Sequence, residues 1–447
     1  MMTTRTYRRL FWCVMVAAFA LRISAAIVWQ SGSKGEASPF RFGDSHSYWV
    51  LAEQIAHAKP YQYGSENARI FRAPLYPLFL SMAVWITGEE GDQPDWASIL
   101  LARTFGILIG LSGLGIVMHT AKELAGSVAG IVAGLLATIY PGAIGMSVFL
   151  LSEAVFCPLM LLALYGSWRS LRSESLQAQY TWGLVAGTAI GLGCLARPSW
   201  SLWGVALGAY VLIGAGWRMT REPPWSWKAA FGSLALTAFA IVLTMSPWWI
   251  RNYQITGKFV PTTLQVGASL YDGWHEGATG SSDEGMAFTL EHLLAQQQED
   301  IAATARGEKL ESTFEWRADR RMRQAAVSWA WENPSEVLRL AGVKLLKTWR
   351  PIPVAAELGN TSVKVAEGAI YLAIALLGVV GVWGTRRQAG AWIFLLPCLY
   401  FSLLHMVFIG SVRYRQPAVL VLCILAGAGA SLIMTHRSRR NREQGTT

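Results

Sequence analysis

Asp44, in the stretch FRFGDSHSYWVLAEQIAH (residues 40–57), and Glu153, in VFLLSEAVF, are isolated carboxylates set beside long apolar runs. Asp44 opens an amphipathic segment, where Asp is a good helix cap, its carboxylate accepting a main-chain N–H. It could equally work as a proton acceptor close to a membrane surface. Spacing alone favours the cap. Glu153 is harder to explain as structure, because almost nothing polar separates the runs on either side. A carboxylate at membrane depth is costly and is by default a functional group with a partner. Its bland alternative is a side chain reaching the interface at a tight turn. Arg72, Arg197, Arg251, Arg413 and Arg415 all fall at ends of apolar segments on what the charge pattern makes the outer side. Few basic residues are expected there. Guanidinium groups bind phosphate through two parallel hydrogen bonds, so this set would hold a phosphate better than it would set topology. Taken singly, each arginine is an ordinary interfacial anchor.

The other reactive residues carry less. His46, His57 and His275 are too scattered to argue a metal site, and no HExxH, Gly-rich phosphate loop or serine elbow is present. The five cysteines (13, 157, 194, 398 and 423) all sit within apolar runs and offer no disulfide framework. Lys344 and Lys347 share a helical face with an apolar stripe, which predicts long side chains reaching up to lipid phosphates.

The elements that position these groups follow from composition. Of 447 residues, 53% are hydrophobic and 15% charged, far below the charged share of a soluble domain, and several runs have spanning length. The expected fold is an all-α polytopic membrane protein. The net charge of +10 sits in short clusters beside the runs, as topology requires, which argues against nucleic acid. About ten spans are expected, near residues 10–30, 98–120, 127–148, 151–168, 182–196, 199–217, 229–249, 364–384, 390–410 and 417–435. Basic clusters from Arg5 to the tail HRSRRNR alternate consistently under that count, placing both termini in the cytoplasm. The N-terminal run reads as an uncleaved first span. APLYPLFLSMAVWITG (73–88) is too short to span and reads as an interfacial or re-entrant helix. The expected division is a membrane module, 1–249, containing a first outer loop, 31–97. A helical outer loop, 250–362, and a C-terminal helical part, 363–447, complete it.

Several segments occur in an order that resembles a known family: FGDSHSYWVLAEQIA, FRAPLYPLFL, YPGAIGMSVFLLSEAVF, LARPS, SPWWIRNYQITGKFVPTT, ENPSEVLRLAGVKLLKTW and VRYRQPA. Together they look like the GT-C-fold membrane glycosyltransferases, and within them family 39, the bacterial relatives of protein O-mannosyltransferases and of the lipid A aminoarabinose transferase. The resemblance implies a polyprenyl-phosphate-linked sugar as donor and hexosyl or pentosyl transfer at the periplasmic face of a bacterial inner membrane. The acceptor would be an envelope glycan, lipid or protein. It assigns Asp44 as general base or acceptor-positioning group and Glu153 as the second acidic residue. Arg197, Arg251 and Arg413 or Arg415 are the matching donor-phosphate positions. The O-mannosyltransferases have Asp-Glu where this chain has Asp44-Ser45, which weakens the case for a protein acceptor. No cofactor is required, and a divalent metal is left open. A transporter or flippase of lipid-linked sugars is the alternative, although the inverted repeats and broken midplane helices of many transporters are not evident.

Overall fold

The computed structural model describes residues 2–32, 39–40, 42–91, 94–216, 227–283, 287–353, 361–388 and 391–444. Among them there is no β-strand. The helices run in the order α1 Thr4–Ser31, α2 Gly43–Ala56, α3 Leu75–Thr87, α4 Trp96–Ala125, α5 Ser127–Ile139, α6 Pro141–Val148, α7 Glu153–Arg172, α8 Leu176–Ala196 and α9 Trp203–Gly216. They continue with α10 Trp227–Thr256, α11 Val266–Gly273, α12 Phe288–Ala305, α13 Phe314–Glu332, α14 Pro334–Trp349, α15 Thr361–Thr385, α16 Leu396–Val407 and α17 Val412–Gln444.

Six of these helices are long and apolar enough to cross a membrane, and seven if α5 and α6 together make one span. The chain is a multi-pass membrane protein. Seven of the ten expected runs lie on one long helix each, although α8 is not among the six. The run near 127–148 is broken between α5 and α6. Those near 199–217 and 390–410 fall largely on the short α9 and α16, with residues 217 and 390 outside the described residues. The segment 73–88 forms α3, 13 residues long.

The bend of 66° between α5 and α6 lies at Pro141. Proline has no N–H, so the carbonyl of Ala137, four residues earlier, loses its partner within the helix. Arg22 of α1 donates to that oxygen at 3.2 Å and to Ser147 Oγ of α6 at 3.3 Å. At the far end of α6, Arg103 of α4 donates to the Val148 carbonyl at 2.7 Å and to Gln30 of α1 at 3.0 Å. Two buried arginines thus satisfy the orphan carbonyls that a broken helix leaves in a low-dielectric interior. Their effect is to fix the stretch that leads into Glu153.

α8 packs between α7 and α10. Gly183, Gly187 and Gly191 recur every fourth residue and turn one bare face toward α10. A Cβ at Gly187 would stand 2.3 Å from the Thr237 carbonyl oxygen. Close backbone approach of this kind is how helices associate where burial of apolar surface gives no advantage over lipid. Gly187→Ala should therefore force α8 and α10 apart and cost about 1–3 kcal/mol, read as a lower melting temperature in detergent. An unchanged melt would show that the helices can slide without penalty.

Candidate functional site

Five chain segments meet at one end of the bundle, where α7 begins, α8 ends and α17 begins. α2 starts at Gly43, with Phe42 as its N-cap and no side-chain capping bond. Asp44 therefore stands in the first turn, not at the cap that its sequence context suggests. The helix dipole favours a negative charge there, and the carboxylate is free to reach outward. Glu153 is the first residue of α7, again without a capping bond. Arg197 ends α8 in an extended conformation, because Pro198 disfavours helical geometry in the residue before it. Arg413 lies in the first turn of α17, and Arg72 just before α3.

These residues form a continuous charge chain. Arg72 Nη2 lies 2.7 Å from Asp44 Oδ1, and Arg413 Nη1 2.8 Å from Asp44 Oδ2. The same Arg413 guanidinium grips Glu153 through Nε at 2.6 Å and Nη2 at 3.2 Å. Arg197 Nη1 is 2.6 Å from Glu153 Oε1, an ion pair whose N–H is not aligned as a hydrogen bond. Three guanidiniums against two carboxylates leave one positive charge in excess. Exposure is greatest in the middle of the chain and falls again to 14% at Arg72. The Glu153 side chain is 1% exposed and Arg197 10%, against 29% for Arg413 and 31% for Asp44. Arg72 is further held by Ser47 Oγ at 3.1 Å and Gln265 Oε1 at 3.0 Å, and lies against the Phe71 ring. Burial alone would raise the Asp44 pKa, but Arg72 and Arg413 outweigh it and hold the carboxyl well below its usual range. Burial likewise works to lower the Arg72 pKa, and Asp44 reverses it to a net rise.

Two of the expected phosphate-binding arginines lie elsewhere. Arg251 donates to the carbonyls of Arg69 at 3.2 Å and Tyr61 at 3.1 Å, between the Tyr61 and Trp248 rings. Arg415 is fully buried against Glu367 and the Tyr371 ring, donating to the Arg350 and Pro351 carbonyls. Residues two apart on a helix point about 200° apart, so Arg413 and Arg415 cannot serve one site. The lysine expectation also needs correcting. Lys344 is buried, its Nζ 2.9 Å from the carbonyls of Gly273 and Val407, the last residues of α11 and α16. Lys347 donates to Thr279 O and Ser281 Oγ. Orphan C-terminal carbonyls attract the Lys344 ammonium. The irregular stretch at residues 279–281 holds that of Lys347, and neither is directed to lipid. Ser47 and Gln265 bond Arg72 at positions whose sequence context gives no sign of such a role, and Glu315 bonds the backbone just before it.

A divalent cation does not fit this arrangement. All four oxygens of Asp44 and Glu153 face guanidinium nitrogens. Among the described residues no three of His, Cys, Asp and Glu come together, and His46 pairs with Tyr63 while His57 meets the Glu89 carbonyl.

Residues 72–248 match the sequence profile of the family described as dolichyl-phosphate-mannose-protein mannosyltransferase. No curated protein sequence matches the chain. Among solved structures, the archaeal oligosaccharyltransferase AglB from Archaeoglobus fulgidus, in complex with an inhibitory peptide and a dolichol-phosphate, superposes with a TM-score of 0.61 at 13% identity. That match covers 98% of this chain and 52% of AglB. The apo form of the A. fulgidus oligosaccharyltransferase gives 0.58 at 15% identity, over 97% and 52%. ArnT from Cupriavidus metallidurans, bound to undecaprenyl phosphate, gives 0.40 at 17% identity, over 91% and 77%, too low to argue from. The chain has the GT-C fold of membrane glycosyltransferases, as its sequence motifs suggest. It spans about half the length of the oligosaccharyltransferase it matches.

Glu153 is the more buried counter-ion, so Glu153→Gln, which strands two guanidiniums, should lower stability by about 3–5 kcal/mol. Asp44→Asn should cost less. Because the folded Asp44 pKa lies below its ordinary 3.8, its contribution is complete above that value and is lost as pH falls through the folded pKa. Denaturant melts should thus show a wild-type to Asp44→Asn gap that is flat from about pH 5 to 8 and closes below about pH 4. A gap that closes near neutrality would contradict the pairing.

Proposed function

We propose that the chain is an integral-membrane glycosyltransferase that moves a sugar, a hexose or pentose, from a polyprenyl-phosphate donor to an acceptor hydroxyl. On this reading the site faces the periplasm of a bacterial inner membrane, and the acceptor is an envelope glycan, lipid or protein. Residues 1–249 and 363–447 form the membrane body and 250–362 the outer part that covers it. The observation that carries the proposal is the charge chain itself, with its one positive charge in excess at one end of the bundle. The match over residues 72–248 to a dolichyl-phosphate-mannose-dependent family supports it.

A phosphate entering the chain would compete with the carboxylates for guanidinium N–H groups. Arg413 and Arg72 are the more exposed of the three, and Arg197 Nη1 already lacks an aligned acceptor. When the phosphate takes N–H groups from Asp44, the carboxylate loses the partners that depress its pKa and becomes a better base. The acceptor oxygen then bonds to the sugar's anomeric carbon, the bond from that carbon to phosphate oxygen breaks, and the hydroxyl proton passes to Asp44. The departing polyprenyl phosphate keeps the electron pair, and its charge is stabilised by the arginines. Glu153 holds Arg413 and Arg197 in register and is too buried to meet the acceptor.

The test is a purified preparation given a lipid-linked sugar and a mixture of envelope acceptors. Asp44→Asn should lower turnover by about 10²- to 10⁴-fold while polyprenyl phosphate still binds. Arg413→Lys should weaken that binding, since a point charge cannot reproduce the planar fork. Full turnover in Asp44→Asn would remove Asp44 from proton transfer. Movement of the intact lipid-linked sugar across vesicles without transfer would favour a flippase.

A further inference from the structure

Arg72 reaches Asp44 from an irregular stretch of backbone, residues 69–74, that belongs to no long helix. Such a stretch must be held by other means. Every main-chain polar atom of Arg69 and Ile70 is paired through a bond that belongs to no helix ladder. The Arg69 N–H donates to Glu315 Oε2 and the Ile70 N–H to both Glu315 oxygens, all at 3.1 Å. The Arg69 carbonyl accepts from both terminal nitrogens of Arg251 at 3.2 Å. The Ile70 carbonyl accepts from Leu264 N at 2.9 Å. Glu315 lies in the first turn of α13, 8% exposed. It belongs to the stripe that continues through Ala318, Asp319 and Met322. The same face of α13 is fixed to α11, where Asp319 Oδ1 accepts from Gly267 N at 2.6 Å.

Two residues of chain span at most about 7 Å, so little slack separates the clamp at Ile70 from the guanidinium at Arg72. We infer that Glu315 is a positioning residue for Arg72, holding residues 69–70 so that the guanidinium meets Asp44, and that the site is complete only while α13 is seated on this stretch. The inference rests on the transferase reading of the charge chain and adds which part of the long segment between α10 and α15 the site depends on. Gln265, on that same segment, supplies a further contact to Arg72.

The experiment uses full-length Glu315→Ala and Glu315→Gln proteins in detergent. Two readouts need no donor: amide exchange of the peptide containing residues 69–72, and carbodiimide labelling of Asp44, both by mass spectrometry. A third is binding of undecaprenyl phosphate alone. In Glu315→Ala, exchange at Arg69 and Ile70 should accelerate and Asp44, less firmly paired, should label more. Undecaprenyl phosphate should bind roughly 10-fold more weakly or worse. Glu315→Gln keeps one acceptor oxygen and should recover most of the protection and binding, which a merely structural role would not separate from loss of charge. If Glu315→Ala fails to fold, Glu315→Gln alone must still show intermediate exchange and labelling. Unchanged exchange, or faster exchange with unchanged Asp44 labelling, overturns the inference. Failure of the wild type to bind undecaprenyl phosphate would overturn the transferase reading instead, with exchange and labelling still deciding the positioning role.

Discussion

The guanidinium of Arg413 uses all three of its nitrogens on carboxylates, two on Glu153 and one on Asp44. Those acids begin two different helices, and Arg413 begins a third. Three helix starts are therefore joined through a single planar group whose donor geometry is rigid. Without it, two negative charges would face each other at the end of the bundle, one of them almost without solvent. The remaining architecture can be understood as serving that junction. α17 is held by α15, α4 and α5. The broken α5–α6 pair is pinned by Arg22 and Arg103, which sets the approach to Glu153. The glycine face of α8 brings α8 and α10 together, with Arg197 at the end of one and Arg251 near the end of the other.

Much of this was legible before any coordinates. The apolar runs and their basic flanks identify a multi-pass helical protein, and seven of the ten expected runs coincide with one long helix each. Asp44, Glu153, Arg72, Arg197 and Arg413 stand out because charge beside an apolar run needs a reason, and the fold brings these five together. What one-dimensional reading missed is direction. Proximity in sequence groups Arg415 with Arg413, but α17 begins at Val412, well before the apolar run near 417, and its helical turn sends the two side chains to opposite sides. Arg251 lies near the end of α10 and faces the back of the 61–72 stretch. Lys344 looked amphipathic, and its true partners are carbonyls about 70 residues away. Glu315 had a signal that could have been used: it lies on the apolar register of α13, three positions before Ala318 and seven before Met322. A carboxylate on a helix's buried stripe must have a partner, but sequence does not say that the partner is main chain.

The architecture also explains why a short outer helix and a long segment far away in sequence act on one arginine. Arg72 draws its contacts from α2 through Asp44 and Ser47, from the segment after α10 through Gln265, and indirectly from α13 through Glu315. No one of these elements packs extensively on all the others. The arginine is the point at which they agree.

Exposure along the charge chain peaks at Arg413 (29%) and Asp44 (31%). It falls to 14% at Arg72 on one side and to 1% at Glu153 and 10% at Arg197 on the other, so the chain opens at its middle. An anion drifting in meets Arg413 and Asp44 first and Arg197 last. Charges at an exposed rim govern how fast partners meet and how strongly salt slows them, while desolvated charges govern how long they stay. The open middle and the buried Glu153–Arg197 end of this chain therefore have different kinetic characters. Ionic strength should be felt at the mouth, where screening is effective, and residence time at the Glu153–Arg197 end, where the side chains are most buried.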